Sequence, residues 1–257
     1  MAGTMMRDRV EATLAEVGDR FPLHADPDTG RWHTTARGSW AGGCWAGLLW
    51  LLGRPEAPLW TARLDCWADA DTVLQALIFW YGRGDTERTA KSLAAMAIDG
   101  IVPWGTAFGE HEGLRADGAA GVVPVLASAG YPELARSHVD AHLAIDESWP
   151  RGRAWLLLAA ADAVHWLGDD YRAHADARAA AWCDPGDTAA DAIAAVALLK
   201  LGHDATPLLD RLAGHVADGR LLGGTYEELR NHELVWGTFF YALALAIAAE
   251  EVSPHAY

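Results

Sequence analysis

Apolar positions in this chain gather into six long runs, which open near Trp40, Trp67, Asp117, Trp155, Asp187 and Trp236. Each begins at an aromatic, Asp or Gly-rich cluster, and more polar segments of similar length lie between them. A run such as AADAIAAVALLKL (189–201) is apolar nearly all round, the mark of a helix covered on both sides. Intervening segments such as DDYRAHADARAAAW (169–182) keep one polar face, which suits a helix lying on a core. The pattern predicts inner helices over 40–52, 68–82, 117–129, 152–167, 188–201 and 234–249. It predicts outer helices over 5–19, 56–65, 85–98, 131–145, 169–182 and 204–217. LLGRPE (51–56), YGRGD (81–85), SAGYPE (128–133), WLGDD (166–170) and KLGHD (200–204) punctuate the pairs. They combine a Gly that closes one helix with an Asp or Pro that starts the next. No strand pattern exceeds a few residues.

Helix hairpins repeated in this way form a solenoid or close into a ring. Six of them give an all-α (α/α)6 barrel, with 1–257 as one domain and no linker dividing it. All inner helices then run the same way, and their N-termini meet at one mouth. Converging positive dipole ends favour an anionic ligand there, so residues at these helix starts are the candidate site.

Bulk properties narrow the choices. Hydrophobic residues make up 51% of 257, enough for a substantial core. Net charge is −15, from 35 acidic and 20 basic residues, which argues against nucleic acid and against an acidic membrane surface. The longest apolar run, Val235 to Ala249, is short for a membrane span. Cys44, Cys66 and Cys183 form no CxxC pair, and MAGTMMRDRVEATLAEVG lacks an apolar signal core, so a cytoplasmic setting is expected. His138 and His142 stand four apart with Asp146 a turn on, a spacing that can hold a metal. Without the Glu of a zinc protease motif, and on an outer helix, the pair reads as polar surface. Neither a phosphate loop nor a nucleophile elbow is present, and no metal or cofactor is expected.

Thirteen tryptophans exceed ordinary usage. Trp40, Trp155 and Trp236 sit at helix starts, where a ring can stack on a flat ligand; Trp50, Trp80, Trp166 and Trp182 sit at helix ends and read as structural. Arg151 and Arg153, flanked by Trp149 and Trp155, offer planar forks for a carboxylate. Asp117 reads either as a helix cap or as an acid/base whose pKa a water-poor mouth would raise. Asp187 reads as a cap, and one of Asp65, Asp69 and Asp71 is expected to face the pocket.

The same residues carry a resemblance. FPLHADPDTGRWHTTARGSWAGGCWAGLLWLL (21–52) is similar to the opening of the unsaturated glucuronyl hydrolases, with their W-T-x-G-F-W-x-G-x-L-W pattern. ESWPRGRAWLLLAAADAVHWLGDD (147–170) resembles their W-x-R-G-Q-A-W helix start. DPGDTAADAIAAVALLKL (184–201) resembles their D-S-S-A-x-A-I helix, and LLGGTYEELRNHELVWGTFFYALALAI (221–247) their W-G-D-Y-F-x-x-E-A-L segment. Four motifs in order span nearly the whole chain, which is identified as a shortened, divergent member.

The resemblance implies an (α/α)6 barrel that hydrates the vinyl ether of a Δ4,5-unsaturated uronic acid through an Asp general acid/base. Asp117 stands at the catalytic position, and Asp65 at that of a second aspartate with Leu64 in place of His; Asp69 or Asp71 are alternatives. Trp40 and Trp45 fall on tryptophans of the first motif, Arg151 and Trp155 on the sugar-holding R-x-x-x-W positions, and Trp236 opens the last motif. Arg153 replaces a Gln and Thr238 an Asp, and an insertion that carries a site histidine is missing. The expected partner is a small, acidic, sugar-like substrate, and the expected state a monomer or homodimer. A biosynthetic hydratase, isomerase or cyclase on the same scaffold, or a non-catalytic acidic-sugar-binding protein, are the alternatives.

Overall fold

The computed structural model describes residues 2–184 and 186–257. In chain order its helices are α1 (Ala2–Val17), α2 (Gly42–Leu51), α3 (Ala57–Arg63), α4 (Gln75–Tyr81), α5 (Thr86–Met96) and α6 (Val122–Ser128). They continue as α7 (Pro132–Leu143), α8 (Pro150–Leu167), α9 (Arg172–Ala180), α10 (Thr188–Leu201), α11 (Thr206–Ala213) and α12 (Val235–Ala248). The even-numbered helices pack in sequence from α2 to α12, and α12 packs back on α2, so the inner ring closes. From α3 to α11 each odd-numbered helix leans on the inner helix before it. This is an (α/α)6 toroid.

Local chemistry sets the boundaries. Asp187 caps α10 by accepting from the Ala189 N–H at 3.0 Å, and Gly202 ends that helix in the left-handed region (φ 76°). Pro132, Pro150 and Pro207 sit in first turns, where the missing N–H costs nothing. Between α2 and α4 the backbones nearly touch: a Cβ on Gly43 would lie 2.3 Å from the Ile78 carbonyl oxygen, and one on Gly47 2.3 Å from that of Tyr81. The GGCWAG segment is therefore a contact surface between inner helices. Inside the ring, aromatic rings meet edge to face, Trp155 against Phe240 at 5.4 Å and Tyr81 against Phe239 at 5.7 Å. At the end away from the helix starts, the fully buried Lys200 Nζ donates to Asp162 at 2.6 Å and to the Tyr257 carbonyl at 2.5 Å.

Two expectations needed correction. Inner helices expected over 68–82 and 117–129 are shorter, α4 and α6: turns and the Thr72–Gly105 bridge occupy 68–74, and a 3₁₀ turn at Ala116–Ala119 precedes α6, as another at Leu64–Trp67 follows α3. Gly121, at φ 74°, breaks the chain between Asp117 and α6. Asp117 is thus on a separate turn and is no cap of that helix. The second correction is a four-stranded sheet ordered β2-β1-β6-β5. It contains β1 (Phe21–Ala25), β2 (Trp32–Thr35), β5 (Gly224–Tyr226) and β6 (Leu229–Leu234), while β3 (Val216–Ala217) and β4 (Arg220–Leu221) form a small hairpin. The sheet lies where α1 would otherwise meet the ring, and α1 packs on β1 and β2. Arg9 fastens it, donating to the buried Glu233 carboxylate of β6 at 2.6 Å. Among the described residues no helix is long and apolar enough to cross a membrane.

Candidate functional site

A cavity of about 760 Å³ opens at the mouth where the inner helices begin. Trp40 from the segment before α2, Asp117 from its turn, Arg151 from the first turn of α8 and Asp187 from the cap of α10 all line it. Tyr226 at the end of β5 closes the remaining side.

Asp117 is held from two directions. Arg115 grips its carboxylate as a fork, with Nε donating to Oδ1 at 3.0 Å and Nη2 to Oδ2 at 3.1 Å. The same guanidinium lies 4.6 Å over the Trp104 ring, which joins the loop before the turn to the wall. Beneath, His138 Nε2 donates to the Gly118 carbonyl at 3.1 Å while its Nδ1 accepts from the Val102 N–H at 3.2 Å. That arrangement requires neutral imidazole, and burial pushes the His138 pKa down to about 3. His142 Nδ1 donates to the His138 carbonyl at 2.9 Å, and the two rings stand 4.1 Å apart. Polar surface was the wrong reading of this pair: both are buried. The irregular 116–119 turn leaves backbone groups that need partners, and α7 supplies them.

Arg151 is 6% exposed and sits within about 6 Å of four aromatic rings, with Trp149 nearest at 4.3 Å and Trp236, Tyr226 and Trp40 around it. Its one hydrogen bond among the described residues runs from Nη1 to the Thr225 carbonyl at 3.2 Å. Burial lowers its pKa, and the charges of Asp187 and Asp117 oppose that. A guanidinium buried with most of its donors unused has the charge and the planar geometry to bind an anion. Asp187 is 4% exposed, and its Oδ1 accepts from the N–H groups of both Ala189 and Thr225, at 3.0 and 3.2 Å. Burial pushes its carboxyl pKa up, against those hydrogen bonds and Arg151.

Of the residues expected at the site, Asp117, Trp40 and Arg151 come together at the cavity. Trp236 is fully buried just behind it, 4.6 Å from Trp40 and 5.2 Å from Tyr226. Trp155 and Trp45 are core residues instead. Trp155 lies one turn deeper on α8 than Arg151, and Trp45 faces Trp60 of α3 at 5.9 Å. Arg153 stands two residues, about 200°, round the helix from Arg151. It therefore points outward, donating to the Ala181 carbonyl at 2.9 Å. Asp65 is also misplaced: its side chain is 70% exposed and pairs with Arg88 at 3.0 Å on the outer surface. The 3₁₀ turn at 64–67 swings it away from the ring interior. Asp69 shares the same Arg88, and Asp71 accepts from the N–H and Oγ1 of Thr106, so none of the three lines the cavity. Asp71 braces the loop that carries Trp104 and Phe108.

Sequence reasoning missed Trp104, Phe108, Arg115, Tyr226, Glu227 and Arg230, which line the cavity from segments without helical periodicity. The one signal for the first of these was a tryptophan in a Gly-spaced stretch. Among the described residues no cluster of three or more His, Cys, Asp or Glu is arranged to hold a metal.

No protein-family model and no curated protein matches the chain. Solved structures do resemble it. An unsaturated glucuronyl hydrolase from Bacillus sp. GL1, responsible for the degradation of glycosaminoglycan, superposes with TM-score 0.83 at 18% identity, over 100% of this chain and 99% of that one. An unsaturated glucuronyl hydrolase specific for heparin gives 0.82 at 17% identity, covering 97% of each. One from Streptococcus agalactiae gives 0.74 at 14%, over 99% and 94%. At this identity the likeness establishes the shared α/α toroid.

Proposed function

We propose that this chain is an unsaturated uronyl hydrolase, which hydrates the vinyl ether of a Δ4,5-unsaturated uronic acid at the end of a small saccharide. The carrying observation is that one cavity holds the carboxylate of Asp117 together with a buried, aromatic-caged Arg151 guanidinium. A group that moves protons and a group that grips a carboxylate are the two things this reaction needs. The toroid shared with unsaturated glucuronyl hydrolases supports the reading.

In this scheme Asp117, as the acid, delivers a proton to C4, and the π electrons of C4=C5 form the new C–H bond. Water bonds to the cationic C5 while its proton returns to the Asp117 carboxylate, so the residue ends as it began. The C5 hemiketal then opens to a ketone by breaking its bond to the ring oxygen. The hemiacetal so exposed at C1 expels the remaining sugar as an alcohol. Arg151 holds the uronic carboxylate, Trp40 and Tyr226 wall the ring, and Arg115 with His138 keeps Asp117 in place. No cofactor enters the scheme, and we assign the reaction to the cytoplasm and to a single-domain enzyme.

Incubation with unsaturated uronic disaccharides tests the proposal. Release of the free second sugar, seen chromatographically, is the expected result. No release from any of several such disaccharides, under conditions where a known unsaturated glucuronyl hydrolase cleaves them, would refute it.

A further inference from the structure

Asp187 does more than cap a helix. Its Oδ1 accepts from two backbone N–H groups and the Ala190 N–H lies near the carboxylate, yet Oδ2 makes no hydrogen bond of ordinary geometry among the described residues, and the residue lines the cavity. Arg151 lies on the next inner helix, close enough to feel the Asp187 charge, but the two form no direct ion pair. Two nearly buried, oppositely charged groups thus face the same space with donor and acceptor capacity unspent.

The charge balance of the cavity says what that space can take. Three acids, Asp117, Asp187 and Glu227, and three bases, Arg115, Arg151 and Arg230, line it. Counting all of them as ionised, as in a complex with a saturated uronic acid that takes no proton from Asp117, the wall is neutral, and the anionic ligand adds one uncompensated negative charge. In a partly buried site one proton cancels that charge at lower cost than leaving it unpaired.

We propose that Asp187 is the proton-bearing half of a carboxylate receptor. When an anionic sugar occupies the cavity, Oδ2 carries a proton and donates it in a hydrogen bond to one carboxylate oxygen, while the other takes the Arg151 fork. Binding is therefore coupled to proton uptake at Asp187. This inference rests on the reading of the ligand as an acidic sugar. The surroundings favour it from each side. On α10 itself the next acid, Asp191, is already forked by Arg211 at 2.7 and 2.8 Å and does not compete. Tyr226 and Glu227 reach the cavity from the β5–β6 hairpin, and Asp117 from its turn is occupied by Arg115. Burial acts on Asp187 in the same direction, raising its pKa before any ligand arrives. The sign follows: the neutral acid is present at low pH and is lost as pH rises through the raised value, so affinity for an anion falls with rising pH.

Calorimetry with D-glucuronate, a saturated uronic acid that cannot undergo the reaction, reads this directly. For wild type the affinity should drop about tenfold or more between roughly pH 5.5 and pH 8, the behaviour of one linked proton. Heats measured in buffers of different ionisation enthalpy should show up to one proton taken up. Asp187→Asn keeps an oxygen for the Ala189 and Thr225 N–H groups and presents an N–H donor where Oδ2 stood. It should bind glucuronate at both pH values with the low-pH affinity of wild type, take up no proton, and melt within a few degrees of it, since Asn caps as well as Asp. A flat wild-type profile, a pH slope that survives in Asp187→Asn, or loss of binding in that variant at all pH values would each overturn the proposal while leaving the acidic-sugar reading intact. Absence of glucuronate binding by wild type at every pH would instead sink that reading and this inference with it.

Discussion

Arg151 shows how a single side chain divides structure from function. Its guanidinium is enclosed by rings and spends one donor on the Thr225 carbonyl, which leaves most of its fork for a ligand. Lysine keeps the charge but not the planar fork, so Arg151→Lys should lower glucuronate affinity by about tenfold or more. Unchanged affinity combined with a lowered melting temperature would mark Arg151 as structural only. His138 argues at the same scale. Its folded pKa, near 3, lies below the ordinary value of 6.5. The unfolded chain therefore binds more protons between those values, and the stability that His138 contributes above pH 6.5 is lost as pH falls toward 3. His24 and His255, both pushed down to about 4, act the same way. Melting temperature should fall steadily on acidification below pH 6.5, and His138→Gln, which has no titrating ring, should show a shallower fall. Parallel profiles for the two proteins would contradict the assignment.

At the level of elements, what was legible in the sequence depended on how locally each contact is made. α10 and α12 read clearly because burial on both sides demands apolar residues at almost every position, a signal contained within the helix. α4 and α6 read too long, since small and apolar residues also fill the turns over 68–74 and the 3₁₀ turn Ala116–Ala119 ahead of them, and periodicity does not tell a tight turn from a first helical turn. Asp65 was expected inside on the resemblance alone, and the 3₁₀ turn at Leu64–Trp67 places it outside, paired with Arg88. The β2-β1-β6-β5 sheet was invisible for another reason: β1 pairs with β6, some two hundred residues later, and a strand such as LRNHEL shows no clean alternation. With it went Tyr226 and the hairpin charges Glu227 and Arg230. The mouth itself was legible, because the common direction of the inner helices follows from the repeat, and Asp117, Trp40 and Arg151 lie where that logic puts them. α7 carries a consequence here. Replacing His138 by Leu strands the Val102 N–H and the Gly118 carbonyl, at about 1–3 kcal/mol of stability. Because Gly118 adjoins Asp117, turnover should fall as well, a result that denaturant titration alongside kinetics would register.

For the whole molecule, the ring must be closed at one end to leave a working mouth at the other. The Lys200–Asp162 pair, with the Tyr257 carbonyl, ties the C-terminal segment beneath the barrel, and both side chains are fully buried. Lys200→Met leaves Asp162 charged and alone, or forces it to take up a proton, at about 3–5 kcal/mol. Asp162→Leu combined with Lys200→Met should recover much of that loss, because no buried charge remains. Chemical denaturation of the two variants measures the difference, and an equal loss in both would mean that volume rather than charge holds this end together. The other end is where the account stands or falls. Its most direct test follows the absorbance of the conjugated C4=C5 double bond of an unsaturated uronic disaccharide, with wild type and Asp117→Asn side by side. Wild type should bleach it, and the variant should do so at least about a hundredfold more slowly while melting at the same temperature. A wild type that leaves the absorbance unchanged, or an Asp117→Asn that bleaches at the wild-type rate, would contradict the assignment of this cavity as a vinyl-ether hydration site.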